Sequence, residues 1–598
     1  MKRISVFILV ICLITTLEVQ GQRTPIGTPE GLTEASWESL NERGYPQWFC
    51  DAKLGIFIHW GLYSVPAYAS KEGYGEWFYR GLMVGDSGRC HIMRQYADPT
   101  LPLFQQYQQL THHWNAELWS PNEWADLFTK AGARYVVLVT KHHDGYCLWD
   151  SPQQPQWNST MSGPHRNIVE ELTEAVRKKG LRMGMYYSLL EWTNERHIWM
   201  EDSDDSIGNY VENYMIPQFK DLVTRYRPDL IFSDGDWNNS AEQLHSTELI
   251  SWYYNTVGPD AIVNNRWGRG TQHGFITPEY SAGIRNFEVP WAECRGLGRS
   301  FGLNRNEDLA NYLTSTELIQ HFAFLVSGGG GMTLNVGPAA DGTIPMIQQE
   351  RLLDLGRWLR VNGEAIYGCQ GAGDEPMQQT LQQRTLTIDY NWVRNAPERS
   401  MTTDHFSAHW QGIPIADEPG TYTIEVEADD EIIVMAGRDT LIHFIKDDPT
   451  HQQRTATMTM DQYYSTPWHI YYNEQELEAV ARLLWHRSDE RKFYPIAARS
   501  MDGTPGWQVE YRWMQTVRCF TKQADAEYII EFRRPRNQVV LDHYSKLPKG
   551  STITMLGTSS SSLRWKQKSN GQLIIDLRSI PDTELNALEH AFVFCIKK

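Results

Sequence analysis

A series of short apolar runs punctuates residues 53–337, and each stops abruptly on polar or aromatic side chains. Residues 53–60 (KLGIFIHW) end in His59-Trp60, 135–140 (YVVLVT) run into Lys141-His142-His143-Asp144-Gly145, and 182–188 (RMGMYYS) close on two tyrosines and a serine. Residues 229–237 (DLIFSDGDW), 261–267 (AIVNNRW) and 331–337 (GMTLNVG) repeat the pattern. Runs of this length and composition predict buried strands of a parallel sheet. Helical patterns lie between them. Ser120-Pro121-Asn122-Glu123 forms a capping box with Pro at the first helical position, and Trp124, Leu127 and Phe128 follow at core spacing. Ile168, Leu172 and Val176 mark a second helix, and further helices are expected over 214–226, 241–256, 314–326 and 344–361. Strand and helix alternate, as βαβ units require. Polar side chains gather at many strand C-termini instead of at one switch point, which favours the mouth of a (β/α)8-like barrel over a doubly wound sheet. The barrel is expected over residues 22–370.

Beyond Cys369 the pattern becomes short and alternating, as in 421–427 (TYTIEVE) and 526–532 (AEYIIEF), with turn signals at Pro419-Gly420, Asp502-Gly503 and Asn570-Gly571. All-β sandwich domains are expected there, with room for two. At the other end, residues 1–21 carry two early basic residues, an apolar run and a small residue at Gly21, the form of a secretory signal peptide. Export to a periplasm or the medium, or to a lysosome in a eukaryote, is the expectation. No later stretch is apolar enough for membrane insertion.

Composition narrows the function. A net charge of −18 without a basic run argues against nucleic acid and anionic membranes as partners. The 23 Trp and 29 Tyr suit either core filling or stacking on sugar rings. Of the eight Cys, Cys12 falls in the leader, and the others are too scattered for a disulfide framework, although one or two bridges stay open. No spacing suggests zinc.

Glycoside hydrolysis needs two carboxyl groups, one to protonate the leaving oxygen and one to attack or to activate water. Asp234, at the end of its strand, is the first candidate, with capping or turn formation as its competing role. Glu279, Glu288 and Glu293, in a loop-rich segment after the Arg266 strand, compete for the second role. Adjacent His142 and His143 should point to opposite faces of a strand, so hydroxyl recognition, with one of them a core histidine, is favoured over a shared metal. Gly328–Gly331 lacks the Lys of a phosphate loop, and Ser188 lacks the context of a nucleophilic serine.

The segments KLGIFIHWGLYSVPAY, KHHDGYCLWDS, LRMGMYYS, DLIFSDGDW, NNRWG, GGMTLNVGPAADGTIP and LGRWLRVNGEAIYG occur in order over residues 53–368. Together they closely resemble the glycoside hydrolase family 29 α-L-fucosidases. The resemblance implies a retaining exo-glycosidase that needs neither metal nor cofactor and acts on fucosylated oligosaccharides or glycoconjugates. Asp234 takes the place of the family nucleophile. The L-fucose pocket would be lined by His59, Glu76, Trp77, His142, His143, Tyr187 and Arg266, with Trp237 and Phe301 as apolar wall. Thr277-Pro278-Glu279-Tyr280 is similar to the acid-bearing loop of some members, which implies Glu279 as acid/base. Other members place the acid directly after a Trp. Here that segment reads Trp291-Ala292-Glu293-Cys294, displaced by one place, so Glu293 is the runner-up. That displacement also keeps open an inactive glycan-binding protein. Asp404–Gly412, Pro419–Asp430 and Val434–Arg438 resemble a PA14 module, expected over 377–503, with a C-terminal β-sandwich over 504–598. Such modules sometimes bind calcium through an Asp-Asp pair; Asp429-Asp430 reads equally well as an acidic turn.

Overall fold

The computed structural model describes residues 33–194, 204–281, 284–393, 396–398, 401, 405–461, 463–475 and 479–598. The expected leader, 1–21, lies outside them. The chain divides near Gly371 into two units.

In the first unit, β1 (Leu54–Ile58), β2 (Tyr135–Lys141), β3 (Arg182–Ser188), β4 (Leu230–Asp234), β5 (Ile262–Val263), β6 (Ala292–Gly296) and β7 (Gly331–Val336) form one parallel sheet. Its order is β5-β4-β3-β2-β1-β7-β6. Every residue of β1, β2, β4 and β7 is buried, as expected when both faces of a parallel sheet are covered. The gap between β5 and β6 is spanned by residues 275–280, through the parallel bridges Asn264–Phe275, Ile276–Trp291 and Glu279–Cys294. That irregular segment is the eighth stave. Both it and β6 fall in the stretch whose sequence reads as loop.

The flanking helices start where their capping chemistry dictates. The Ser120 side chain accepts from the Glu123 amide at the head of Pro121–Ala131, Asn167 caps Ile168–Lys178, and Thr314 and Glu317 form a reciprocal capping box on Ser315–Ser327. Each such cap stabilises its helix by about 1 kcal/mol. Ile168, Leu172 and Val176 are fully buried, so the expected apolar stripe of that helix is the packed one. Inside the staves, Phe57, Tyr135, Val137, Tyr186, Phe232, Phe275 and Phe301 belong to one core. Truncating one of these rings to Ala should cost about 3–5 kcal/mol. The core closes the barrel below its mouth, which leaves the strand C-termini as the place for a site.

The second unit is antiparallel β structure. Its strands alternate buried and half-buried residues, as in Gly420–Ala428 and Ala479–Arg487. One core gathers Trp410, Ile424, Val434, Trp468, Leu483 and Trp507; another gathers Ile529, Val539, Ile553, Leu573 and Phe594. The strand Trp507–Lys522 serves both. Its first half pairs with Phe406–Pro414 and its second with Ala526–Glu531.

Candidate active site

The stave ends deliver a ring of polar groups around one pocket. Asp234 closes β4, and Arg266 follows β5. Asp234 Oδ2 accepts a hydrogen bond from the Tyr186 hydroxyl at 2.9 Å, and Oδ1 accepts one from Arg266 Nη1 at 3.1 Å. The same Nη1 reaches Glu279 Oε1 at 2.6 Å, so one guanidinium nitrogen bridges two carboxylates. Arg266 is itself held, since Nε donates to Thr277 Oγ1 at 3.0 Å and Nη2 to the Thr277 carbonyl at 2.9 Å. Burial pushes the Asp234 carboxyl up, but the Arg266 charge and the Tyr186 hydroxyl outweigh it and hold the group below its ordinary value. Asp234 is therefore ionised at neutral pH.

Three histidines surround it. His59 Nδ1 lies 2.6 Å from Asn335 Oδ1, while Asn335 Nδ2 donates to the Phe301 carbonyl at 2.6 Å. The Asn oxygen must therefore accept from His59, which leaves His59 Nε2 for a ligand. His143 Nδ1 meets Ser188 Oγ at 2.6 Å, and that hydroxyl donates to the Leu190 carbonyl, so Ser188 orients an imidazole. Burial pushes both His59 and His143 down to about 4, and holds His142 well below its ordinary value. The 3.6 Å approach of His143 Nε2 to Asp234 is thus a neutral ring beside a carboxylate. His142 Nδ1 is buried without a hydrogen-bond partner and borders the pocket. The pairing of β2 with β3 shifts register between Val139 and Lys141. Such an irregularity re-aims side chains, and the rings of His142 and His143, 4.2 Å apart, both approach the site.

Glu76 completes the polar lining. It is 2% exposed and accepts from the Gly302 amide at 2.7 Å; burial pushes it up to about 7. Trp77 and Trp237 lie 5.7 Å apart, centroid to centroid, and Phe301 lies 5.0 Å from His59. These rings form an apolar wall beside the polar one. Trp237, 40% exposed, stands at the rim.

Two sequence expectations need correction. Tyr187 faces away from the pocket: its hydroxyl donates to Gln218 Oε1 at 2.8 Å, and Lys141 Nζ sits 4.3 Å from its ring centroid. Neighbouring residues of a strand point to opposite faces, and it is Tyr186 that enters the site. Glu293 fails by the same rule. On β6 it is Cys294 that borders the pocket, while Glu293, fully buried, pairs with His321 on the outer helix Ser315–Ser327. Glu279 is the carboxylate brought to Asp234. Tyr186, Tyr74, Phe232 and Cys294 also border the pocket and were missed. For Tyr186 and Cys294 the missing signal was strand parity.

Among the described residues, the group able to share a metal ion is Asp429, Asp430 and Glu474 in the second unit, with ligand atoms within 4.8 Å of one another. Asp429 also accepts from the Val480 amide at 2.8 Å and Asp430 from the Gln475 amide at 2.7 Å, so the pair shapes its turn as well.

A family profile described as Alpha-L-fucosidase matches residues 26–364, and a PA14 domain profile matches 366–489. The chain is 40% identical over 343 residues to an alpha-L-fucosidase of Dictyostelium discoideum, covering 56% of this chain and 74% of that protein. It is 40% identical over 341 residues to the tissue alpha-L-fucosidase of Homo sapiens, covering 56% and 72%. A crystal structure of Thermotoga maritima alpha-fucosidase with a mechanism-based inhibitor superposes with a TM-score of 0.62 at 27% identity, covering 94% of this chain and all of that one. With its carboxylates, neutral histidines and aromatic wall gathered at the barrel mouth, this chain belongs to the alpha-L-fucosidase family and is a glycoside hydrolase.

Proposed function

We infer that this α-L-fucosidase releases terminal α-L-fucosyl residues from glycans with retention, through a covalent intermediate on Asp234 and with Glu279 as acid/base. The observation that carries the reading is the single Arg266 nitrogen in contact with both carboxylates. The contacting oxygens can be no farther apart than those two contacts end to end, which accords with the spacing of about 5–5.5 Å in retaining enzymes and falls short of the roughly 6.5–9.5 Å of inverting ones. The relative solved with a mechanism-based inhibitor is consistent with this course.

Asp234, ionised, attacks the anomeric carbon while the Glu279 carboxyl gives its proton to the departing glycosidic oxygen. An acylal ester then links Asp234 to the sugar. Water enters, Glu279 takes its proton, and attack at the anomeric carbon frees Asp234 after a second inversion. His59, His142 and Glu76 supply polar atoms for the sugar hydroxyls, and Phe301 and Trp237 supply apolar surface for its methyl group. Glu293, whose displacement suggested an inert binding protein, stands outside the pocket, so that reading loses its support.

Glu279→Gln should lower kcat/KM on α-L-fucosides of weakly acidic phenols by about 10²–10⁴-fold, and with a strongly acidic phenol azide should restore turnover as a fucosyl azide of retained configuration. An azide product of inverted configuration would overturn the assignment. The basic and apolar character of 1–21 supports export of the enzyme, which N-terminal sequencing of secreted material would check.

A further inference from the structure

The Glu279 side chain is 35% exposed, so packing leaves its place to the Arg266 contact and to the backbone beneath. That backbone is clamped on its N-terminal side. Arg266 holds Thr277 through two hydrogen bonds, and the Cys294 amide donates to the Pro278 carbonyl at 2.9 Å. On the C-terminal side the next residue is Tyr280, in the left-handed region at φ 48°. An aromatic residue rarely adopts that conformation unless its surroundings enforce it.

The enforcement is visible at the Tyr280 hydroxyl. It donates to the Arg299 carbonyl at 2.6 Å and accepts from the Gly296 amide at 3.0 Å, which ties the turn to the end of β6 and to the loop beyond it. Its ring meets Phe301 edge-on at 5.4 Å, and the Arg295 guanidinium lies 5.4 Å from the ring centroid. The approach also depends on Gly296, where a Cβ would sit 2.9 Å from the Tyr280 hydroxyl and 2.8 Å from the Ser300 carbonyl oxygen. Tyr280 does not border the pocket.

We propose that Tyr280 is a positioning residue for Glu279: its hydroxyl, bridging Arg299 and Gly296, locks the left-handed turn that aims the acid/base into the pocket. The proposal rests on the reading of Glu279 as acid/base. Its consequence is specific to the step that needs a proton. A glycosidic bond to a good leaving group breaks without much help from the acid, whereas one to a poor leaving group does not. A displacement of Glu279 by a fraction of an ångström is therefore felt in proportion to the basicity of the leaving oxygen.

Tyr280→Phe removes the hydroxyl and keeps the ring. Gly296→Ala keeps the hydroxyl and obstructs its seat, so the two variants test one contact from both sides and either serves if the other fails to fold. Both are assayed beside Glu279→Gln on aryl α-L-fucosides whose phenols range from strongly to weakly acidic, together with pH–rate profiles and thermal unfolding. In both variants the loss in kcat/KM should grow along the series, from under about threefold on the most acidic phenol to roughly 10–100-fold on the least, with the alkaline limb of the profile displaced. A loss that is uniform along the series, or no loss, overturns the proposal while a steep Glu279→Gln series leaves the acid/base reading standing. A flat Glu279→Gln series overturns that reading, and the proposal with it.

Discussion

Behind the strand wall, Lys141 Nζ meets Glu191 at 3.1 Å with both side chains fully buried, and Gln154 and Tyr214 also bond to that carboxylate. On β6, Glu293 and His321 form a second outward pair. Inside the mouth, Arg266 is shared between Asp234 and Glu279, His142 Nδ1 has no hydrogen-bond partner, and His59 keeps one ring nitrogen for a ligand. The two faces hold similar groups, but the outer carboxylates are the more deeply buried: the Glu191 and Glu293 side chains are fully buried, while Glu279 is 35% exposed. Outside, charge is neutralised pairwise; inside, one cation serves two anions, and polar atoms are left for hydroxyl groups. Burial of a carboxylate therefore does not mark it as catalytic. On the proposed assignment, what it shares its cation with does.

The largest separation between the faces is expected at their carboxylates. Asp234→Asn should lower kcat on the order of 10⁴-fold or more, because it removes the nucleophile of the proposed mechanism. Glu293→Gln should leave kcat/KM within about threefold and cost about 1–3 kcal/mol of stability through the weakened contact with His321. Steady-state rates and denaturant unfolding of the two variants check this. A catalytic collapse in Glu293→Gln would erase the distinction between the faces.

A second contrast is in the sign of the pH dependence. Burial raises Glu76 from 4.5 to about 7, so the folded state keeps this proton where the unfolded state has lost it. The folded state then binds more protons between those values, and stability falls as pH rises through that window, by about 3 kcal/mol in all. For Glu293 burial also pushes upward, but His321 and Arg295 outweigh it and hold the carboxyl below its ordinary value. Its contribution is present above pH 4.5 and is lost as pH falls through the folded value. Thermal unfolding from pH 4 to 8 should show the stability of Glu76→Gln flattening relative to the unsubstituted protein between 4.5 and 7, and that of Glu293→Gln flattening only at the acid end. Parallel curves for all three proteins would contradict both assignments.

The barrel was legible because β1, β2, β3, β4 and β7 are continuous apolar runs and helices such as Ile168–Lys178 carry a clear buried stripe. β6 was not. Its sequence, Ala292-Glu293-Cys294-Arg295-Gly296, alternates faces with a charged residue at two of five places, and the stave at 275–280 is held by isolated bridges without a ladder. The site was legible wherever a residue closes its strand or follows the strand's end, as with Asp234 in the first case and His59, His142, His143 and Arg266 in the second. Within a strand it was ambiguous. Tyr186 or Tyr187, and Glu293 or Cys294, are choices of parity, and a lone sequence holds no register. That register came from tertiary pairing, in which Tyr187 stands opposite Ser233 and Ser188 opposite Asp234.

The adjacent tyrosines give the finest test of the two faces, since one identical change is made on each side of one strand. Tyr186→Phe removes a hydrogen bond of 2.9 Å to the ionised Asp234. Bonds to charged groups contribute about 1.5–3 kcal/mol; in the proposed mechanism this one is regained as the Asp234 carboxylate leaves the ester, so its loss should slow breakdown of the intermediate and kcat should fall about tenfold. Tyr187→Phe strips a donor from Gln218, which is fully buried, and should cost about 1 kcal/mol of stability with kcat unchanged. Rates and unfolding midpoints measured on both variants separate the outcomes. If Tyr187→Phe slowed turnover and Tyr186→Phe only loosened the fold, β3 would have to present its other edge to the pocket, and the register that places Ser188 beside Asp234 would be wrong by one residue.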